Sequence, residues 1–288
     1  MKEITNLRDI QRIEYHILCY VADFFEAHGL TYMLCGGTLL GAIRHGGFIP
    51  WDDDIDILVP REDYERFKSL VREGAFNNAS YAARLPGEKD YRYPYIKVMD
   101  LRTRAQEGIT QEETQVWIDV FPLDHFPDEE QAHRQCVTRN QRMQDLLNAP
   151  IILKTKRRSL PKRLLLRGMI ALHHLMGGPE QIAARIDREA AEMDRKYQSS
   201  RRRGDGALPN GTKDCFLDQW LFPTATHRFE GQEFRIPNDY HAYLTHFYGD
   251  YMTPPPASQR EDHSMVAVWT AEEDPNTVLT RKWSDDRP

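Results

Sequence analysis

No stretch of this chain approaches the roughly 20 consecutive apolar residues that a bilayer-spanning helix needs. The nearest, Leu164 to Met176, is interrupted by Arg167, His173 and His174, so a membrane span is excluded. The opening residues Met1-Lys2-Glu3-Ile4-Thr5-Asn6 carry no apolar run behind a basic segment, and no secretory leader is expected. Cysteine is scarce as well. Cys19, Cys35, Cys136 and Cys215 lie far apart without a Cys-x-x-Cys pair, which points to buried thiols and, with the missing leader, to a cytoplasmic protein. An excess of positive charge is also lacking: 38 Lys and Arg against 44 Asp and Glu leave a formal charge of −6, so nucleic acid is not an expected partner. No internal repeat interrupts the chain. Its 288 residues, with 40% hydrophobic and 28% charged side chains, suit one main soluble domain with additions.

Apolar residues at Ile10, Ile13, Ile17, Val21 and Phe24 recur at helical spacing and stop at Gly29, predicting an opening helix. Thr31 to Cys35 reads as a short buried strand. Gly36-Gly37 follows, then Thr38 as a possible N-cap for a short helix over Leu39 to Arg44. Asp54 to Val59 has strand composition, and Pro60 with Arg61-Glu62-Asp63 opens another helix. Tyr93 to Met99 and Gln115 to Phe121 are two more strand candidates, the second closed by a break at Pro122. Strands alternating with helices indicate an α/β (α+β) fold, with residues 1–127 as a catalytic core ending near Asp124. From Asp128 to about Tyr197 the pattern is helical, broken at Pro150, Pro161 and Gly177-Gly178-Pro179. Residues 128–205 are expected as a helical basic insertion, and 206–288 as a segment that completes the active-site lobe.

The chemistry concentrates at Trp51-Asp52-Asp53-Asp54-Ile55-Asp56. On a strand Asp54 and Asp56 share one face, roughly 6.6 Å apart along the chain, while Ile55 and Ile57 enter the core. Two carboxylates on one rigid face repel when ionised; a divalent cation removes that repulsion and supplies the charge that phosphate oxygens require. Mg²⁺, or Mn²⁺ in its place, suits one or two carboxylates completed by substrate phosphates. Asp52 and Asp53 would shape the approach. An isolated acidic run is usually a solvated turn. Here the alternation with Ile55, Ile57 and Val59, and a glycine-led helix start upstream whose free N–H groups attract anions, argue for a site. Arg44 and Lys97 are candidate phosphate ligands, with surface solvation as the alternative. His45 and His263 could bind phosphate or donate a proton. Trp51 could wall the pocket or stack on a base or a quaternary ammonium, or simply pack beside the strand.

The order Gly36-Gly37-Thr38-Leu39-Leu40-Gly41-Ala42-Ile43-Arg44-His45, then Gly47-Phe48-Ile49-Pro50-Trp51-Asp52-Asp53-Asp54-Ile55-Asp56, closely resembles the LicD family of phosphocholine transferases, which includes the fukutin-related proteins. The likeness continues through Pro60-Arg61-Glu62-Asp63-Tyr64, Ile96-Lys97-Val98, Ile118 to Asp124, Tyr248 to Met252 and His263. The family resembles the polymerase-β-type nucleotidyltransferases, implying a mixed sheet flanked by helices and a third carboxylate on a neighbouring strand. Asp119 is the residue to which the likeness points, with Asp124 competing. The resemblance implies transfer of a phospho-alcohol, phosphocholine first, from a CDP-linked donor to a hydroxyl of a glycan or lipid-linked glycan precursor of lipopolysaccharide, teichoic acid or capsule, with release of CMP. Under that chemistry Asp54, Asp56 and Asp119 hold metal and act catalytically, while Gly36, Gly37, Thr38, Arg44, His45, Trp51, Lys97 and His263 bind substrate. Two alternatives stand beside it: nucleotidyl transfer from a nucleoside triphosphate, and a non-catalytic glycan- or nucleotide-binding relative.

Between Ile151 and Gly178, Lys154, Lys156, Arg157, Arg158, Lys162, Arg163 and Arg167 flank Leu164-Leu165-Leu166 with no acidic residue. This segment, 151–178, suits peripheral contact with an anionic membrane, on the inner face of the plasma membrane if the protein is cytoplasmic. A helix packed on the protein's own core with a solvated basic face is the other reading.

Overall fold

A short strand, β1 (Lys2–Ile4), precedes helix α1 (Leu7–Ala27) in the computed structural model, which describes residues 2–4, 6–106, 113–155, 160–209, 211–256, 260 and 266–272. The α1 cap is built from side chain and backbone together. Asn6 Oδ1 accepts from the Asp9 amide at 2.8 Å. At the other end Gly29 adopts φ +62°, with Leu30 N donating to Phe25 O at 2.8 Å and Gly29 N to Glu26 O at 3.2 Å, a Schellman closure. The predicted stripe is buried at Ile10, Ile13, Ile17 and Val21; Phe25 rather than Phe24 is its fully buried aromatic. Phe25, Phe67 and Phe76 pack ring on ring at 4.8 and 4.9 Å, each burial worth roughly 1.5–3 kcal/mol.

The elements that follow are β2 (Met33–Leu34), α2 (Gly36–His45), β3 (Asp56–Pro60), α3 (Arg61–Arg72), β4 (Tyr81–Arg84), β5 (Ile96–Gln106) and β6 (Glu113–Phe126). Then come α4 (Glu130–Thr155), α5 (Leu160–Leu175), α6 (Pro179–Lys196), β7 (Arg202–Asp205), β8 (Cys215–Leu217) and a one-turn α7 (Asp218–Leu221). The chain closes with β9 (Ala225–Phe229), β10 (Gln232–Ile236), α8 (Tyr240–Tyr248) and β11 (Val266–Trp269). Two compact units result: residues 1–83, 97–120 and 220–288, and residues 84–96 and 121–219.

In the first unit the strands run in the order β1-β11-β5-β6-β3-β2, with α1, α2, α3 and α8 as helices and β9–β10 as a separate antiparallel hairpin. This is the expected mixed α/β class. In the second unit the last residues of β6 pair with β7, and β7 with β8, beside α4, α5 and α6. Leu146, Leu147, Ile182 and Ile186 form one of its hydrophobic clusters, with Met169 of α5 packed against it.

Several boundaries differ from the sequence expectations, and β2 covers only Met33–Leu34 of the strand expected over Thr31 to Cys35. Helix α2 starts at Gly36, because Gly36 takes φ +54° and the first helical bond runs from Leu39 N to Cys35 O at 3.0 Å; Thr38 lies inside the helix and is not its cap. Strand β3 starts at Asp56, leaving Asp54 in the preceding extended segment. Strand β5 starts at Ile96, after Pro94, which has no N–H to donate to a ladder. Pro122 does not end β6, since its pairing with β7 begins at Leu123. Pro150 likewise sits within α4, where Arg92 donates to Asn148 Oδ1 at 3.0 Å near the turn that has lost a donor. All four cysteines are reduced thiols; Cys19, Cys35 and Cys215 are buried. Among the described residues no helix is long and apolar enough to cross a membrane.

Candidate active site

The site belongs to the first unit and is organised by the mouth of α2. Cys35 precedes that helix in extended backbone without a side-chain cap, so its first turn presents N–H groups and the positive end of the helix dipole. Gly36 and Gly37 are required there by close approach. A Cβ on Gly36 would lie 3.2 Å from Asp56 Oδ2; one on Gly37 would lie 2.7 Å from Asp52 Oδ2 and 4.0 Å from Asp54 Oδ1. Thus Asp52, Asp54 and Asp56 all turn toward the glycine pair. Thr38 Oγ1 accepts from the Asp56 amide at 2.8 Å and ties the start of β3 to the first turn of α2. The turn before them is held from α1, where Gln11 Nε2 donates to Asp52 O at 2.8 Å.

Asp119 arrives on β6, whose amide at that residue donates to Ile55 O at 2.9 Å and sets the carboxylate beside Asp54 and Asp56. Lys97, from the neighbouring β5, is 2% exposed; its Nζ lies 3.2 Å from Asp119 Oδ1 and 3.9 Å from the centre of the Trp117 ring. The ammonium is thus directed at Asp119 and an aromatic face. Asp124 lies in the second unit, close enough to Asp205 to raise its pKa, and its Oδ2 would meet a Cβ on Gly206 at 2.1 Å.

The electrostatics are those of crowded, desolvated carboxylates. Burial raises the Asp56 carboxyl well above the usual range, and Asp54, Asp119 and Asp52 add to the rise while Lys97 opposes it. Burial likewise pushes Asp119 up to about 6 against the pull of Lys97. Two residues of this environment escaped the sequence reading. Glu14 of α1 is fully buried, neither of its carboxyl oxygens has a hydrogen-bond partner among the described residues, and burial followed by Asp54 and Asp53 raises its pKa. Its signal was present: an acid on the buried stripe of α1, between Ile10 and Ile17. Tyr248 at the end of α8 is the other: the residue is exposed, but its hydroxyl is raised above the ordinary phenol range by desolvation and then by Asp56.

Arg44 and His45 close α2. Arg44 donates to Tyr251 O at 2.9 Å, and the His45 ring meets Trp51 edge-on at 6.3 Å. Burial first, then Arg44, lowers the His45 pKa, favouring its neutral form. Arg260 lies 4.2 Å over the Trp51 ring, so that indole already faces a cation. His263 lies outside the described residues.

Among the described residues no three His, Cys, Asp or Glu side chains converge closely enough to cage a metal on their own. The donor set is nevertheless hard oxygen. Asp54 raises the proton affinity of both Asp56 and Asp119, and Glu14, itself raised by Asp54, has no hydrogen-bond donor among the described residues. Such a set fits a hard cation that takes one or two carboxylates and completes its shell with water and phosphate oxygens.

Residues 29–149 match the family described as LicD/FKTN/FKRP, nucleotidyltransferase domain. The chain is 28% identical over 275 residues to the lipopolysaccharide cholinephosphotransferase LicD of Haemophilus influenzae, covering 93% of this chain and 99% of that protein. It is 54% identical over 51 residues to the human ribitol 5-phosphate transferase FKRP, 18% of this chain and 10% of that protein. The matched stretch contains the glycine-led helix, the aspartate segment and Asp119, so residues 29–149 are similar to the nucleotidyltransferase domain shared by LicD and the fukutin-related proteins.

Proposed function

We propose that the chain is a phosphotransferase that moves a phospho-alcohol, phosphocholine first, from a CDP-linked donor to a hydroxyl of a cell-surface or capsular glycan precursor, releasing CMP. The observation that carries this reading is the meeting of Asp52, Asp54, Asp56 and Asp119 at the uncapped, glycine-lined start of α2. The named activities of the LicD and FKRP relatives, both transfers of a phosphorylated alcohol, support the class of reaction.

In this reading Asp54 and Asp56, with Asp119, hold Mg²⁺ or Mn²⁺, which when bound neutralises charge on the donor's diphosphate. The α2 N–H groups and Arg44 bind phosphate oxygens, with His45 and His263 as further phosphate ligands or proton donors. Asp119 orients the acceptor hydroxyl and takes its proton. A carboxyl raised to about 6 suits a base working near neutral pH better than one at the ordinary value. The acceptor oxygen forms a bond to the phosphorus bearing the alcohol, the bond from that phosphorus to the CMP oxygen breaks, and CMP leaves with the electron pair. Lys97 is placed to stabilise ionised Asp119. Trp51 offers the face on which a quaternary ammonium could replace Arg260.

The test is release of CMP from CDP-choline, CDP-glycerol or CDP-ribitol by the purified chain with Mg²⁺ or Mn²⁺ and glycan acceptors. Consumption of none of the three overturns the donor assignment. A nucleotidyltransferase reading is favoured by the description of the matching domain; it is distinguished by pyrophosphate release from a nucleoside triphosphate.

A further inference from the structure

Helix α5 in the second unit has two apolar faces. One is occupied: Leu166 and His173 are buried, and Met169 and Ile170 between them are half-buried, at the i, i+3, i+4, i+7 spacing of a packed stripe. The other is open. Leu160, Leu164, Leu165, Leu172 and Leu175 are exposed, from 47% at Leu172 to 84% at Leu175. At about 100° per residue these five fall within an arc of roughly 140° on the side opposite the packed stripe. Arg163, Arg167 and His174 line one margin of that arc, all exposed. The sequence has no acidic residue from Leu146 to Pro179, in a chain whose formal net charge is −6.

A packed helix does not need leucines on its solvent side, and monomeric proteins rarely expose contiguous apolar area rimmed by charge unless something covers it. The single sign of the margin identifies the cover. Two copies meeting through this face would bring their arginines together, whereas a surface of anionic headgroups pairs with them while the leucines enter the acyl boundary. We propose that α5 is an interfacial helix that docks the protein on an anionic lipid surface, lying in the membrane plane. This docking is independent of the transferase reading and is measured without donor or acceptor.

The experiment is flotation of the full chain with vesicles of phosphatidylcholine containing 30% phosphatidylglycerol, and with pure phosphatidylcholine, at about 0.15 M salt. The proposal expects flotation with the anionic vesicles and at least tenfold less with the neutral ones. Arg163→Gln with Arg167→Gln is expected to lower anionic partitioning about 25-fold, at about fivefold per basic residue. Leu164→Ser with Leu172→Ser and Leu175→Ser is expected to abolish it with unchanged circular dichroism and melting, since all three side chains are exposed. No flotation with anionic vesicles, equal flotation with neutral ones, or flotation unchanged in the leucine variant overturns the proposal. So does a dimer in sedimentation that the leucine variant converts to monomer.

Discussion

Both units bury acids, and Glu14 of the first and Asp205 of the second meet opposite surroundings. In the second unit Asp205 is buried, and its Oδ1 accepts from the amides of Ala207 and Leu208 at 2.7 and 3.0 Å. Asp194 of the same unit accepts from both the backbone and the ring of His125, at 2.9 and 2.7 Å. These carboxylates are tied to donors that the fold itself supplies. In the first unit Glu14 has no donor among the described residues, and the pull of Lys97 on Asp119 is opposed by burial and by Asp54. A buried acid with local backbone donors shapes a turn. Acids that crowd one another, as Asp54, Asp56 and Asp119 do, accumulate negative charge that an external cation can neutralise.

Breaking the acid cluster should cost turnover, and breaking a donor-held acid should cost stability. Asp54→Asn is expected to lower CMP release by about a thousandfold or more with the fold intact, as removal of a group acting only in the transition state does. Wild-type turnover in that variant would take Asp54 out of the catalytic machinery, and the non-catalytic reading expects no CMP release from the wild type either. Asp205→Ala is expected to destabilise by roughly 1–3 kcal/mol, through two buried amides left without an acceptor, while Asp205→Asn keeps the acceptor and loses little. Urea unfolding of the two variants measures the difference, and equal losses would remove the contrast between the units.

Glu14→Gln sharpens the comparison from the other side. Its carboxyl pKa is raised, so the group favours the folded state at pH values where it is protonated, and that stability is lost as pH rises through the folded pKa. The variant should therefore melt about 2–4 °C higher than wild type at pH 8, with the gain shrinking at pH 5. Melting at a lower temperature at pH 8 would mean that the buried charge is compensated. The smallest effect concerns Asp119, raised from the ordinary carboxylate range to about 6. Protons compete for it below that value, so Mg²⁺ or Mn²⁺ affinity measured by calorimetry should fall as pH drops through about 6. In the cation-free protein the sign reverses: Asp119 contributes stability below its unfolded value near 4, lost as pH rises through about 6. A cation affinity flat from pH 7 to 5 would take Asp119 out of the site.

Much of this was legible in residue order. The alternation of Ile55, Ile57 and Val59 announced a buried strand, and Val116 to Phe121 announced the one that carries Asp119, because period-two burial leaves a direct trace in composition. What was hidden depends on backbone geometry and on long-range approach. Asp54 sits before β3, although strand composition extends to it. Thr38 looks like a cap but binds the Asp56 amide, since the left-handed Gly36 lets the helix begin three residues earlier. Asp52 was assigned to the approach, and only the fold reveals its carboxylate against Gly37. Tyr248 stands some 190 positions from Asp56 in the chain and could not be paired with it by spacing.

The clearance at Gly37 bears on how the pocket could be moved or redesigned. Because Asp52 Oδ2 occupies the space of the missing Cβ, and Gln11 of α1 holds the Asp52 carbonyl from behind, the helix mouth, the turn and one rung of α1 are interlocked. Grafting the aspartates alone into another scaffold would transplant charges without their seat. The smallest portable piece runs from Gln11 through Asp56, and a scaffold able to accept it must also bring a strand alongside Ile55 to deliver the third carboxylate.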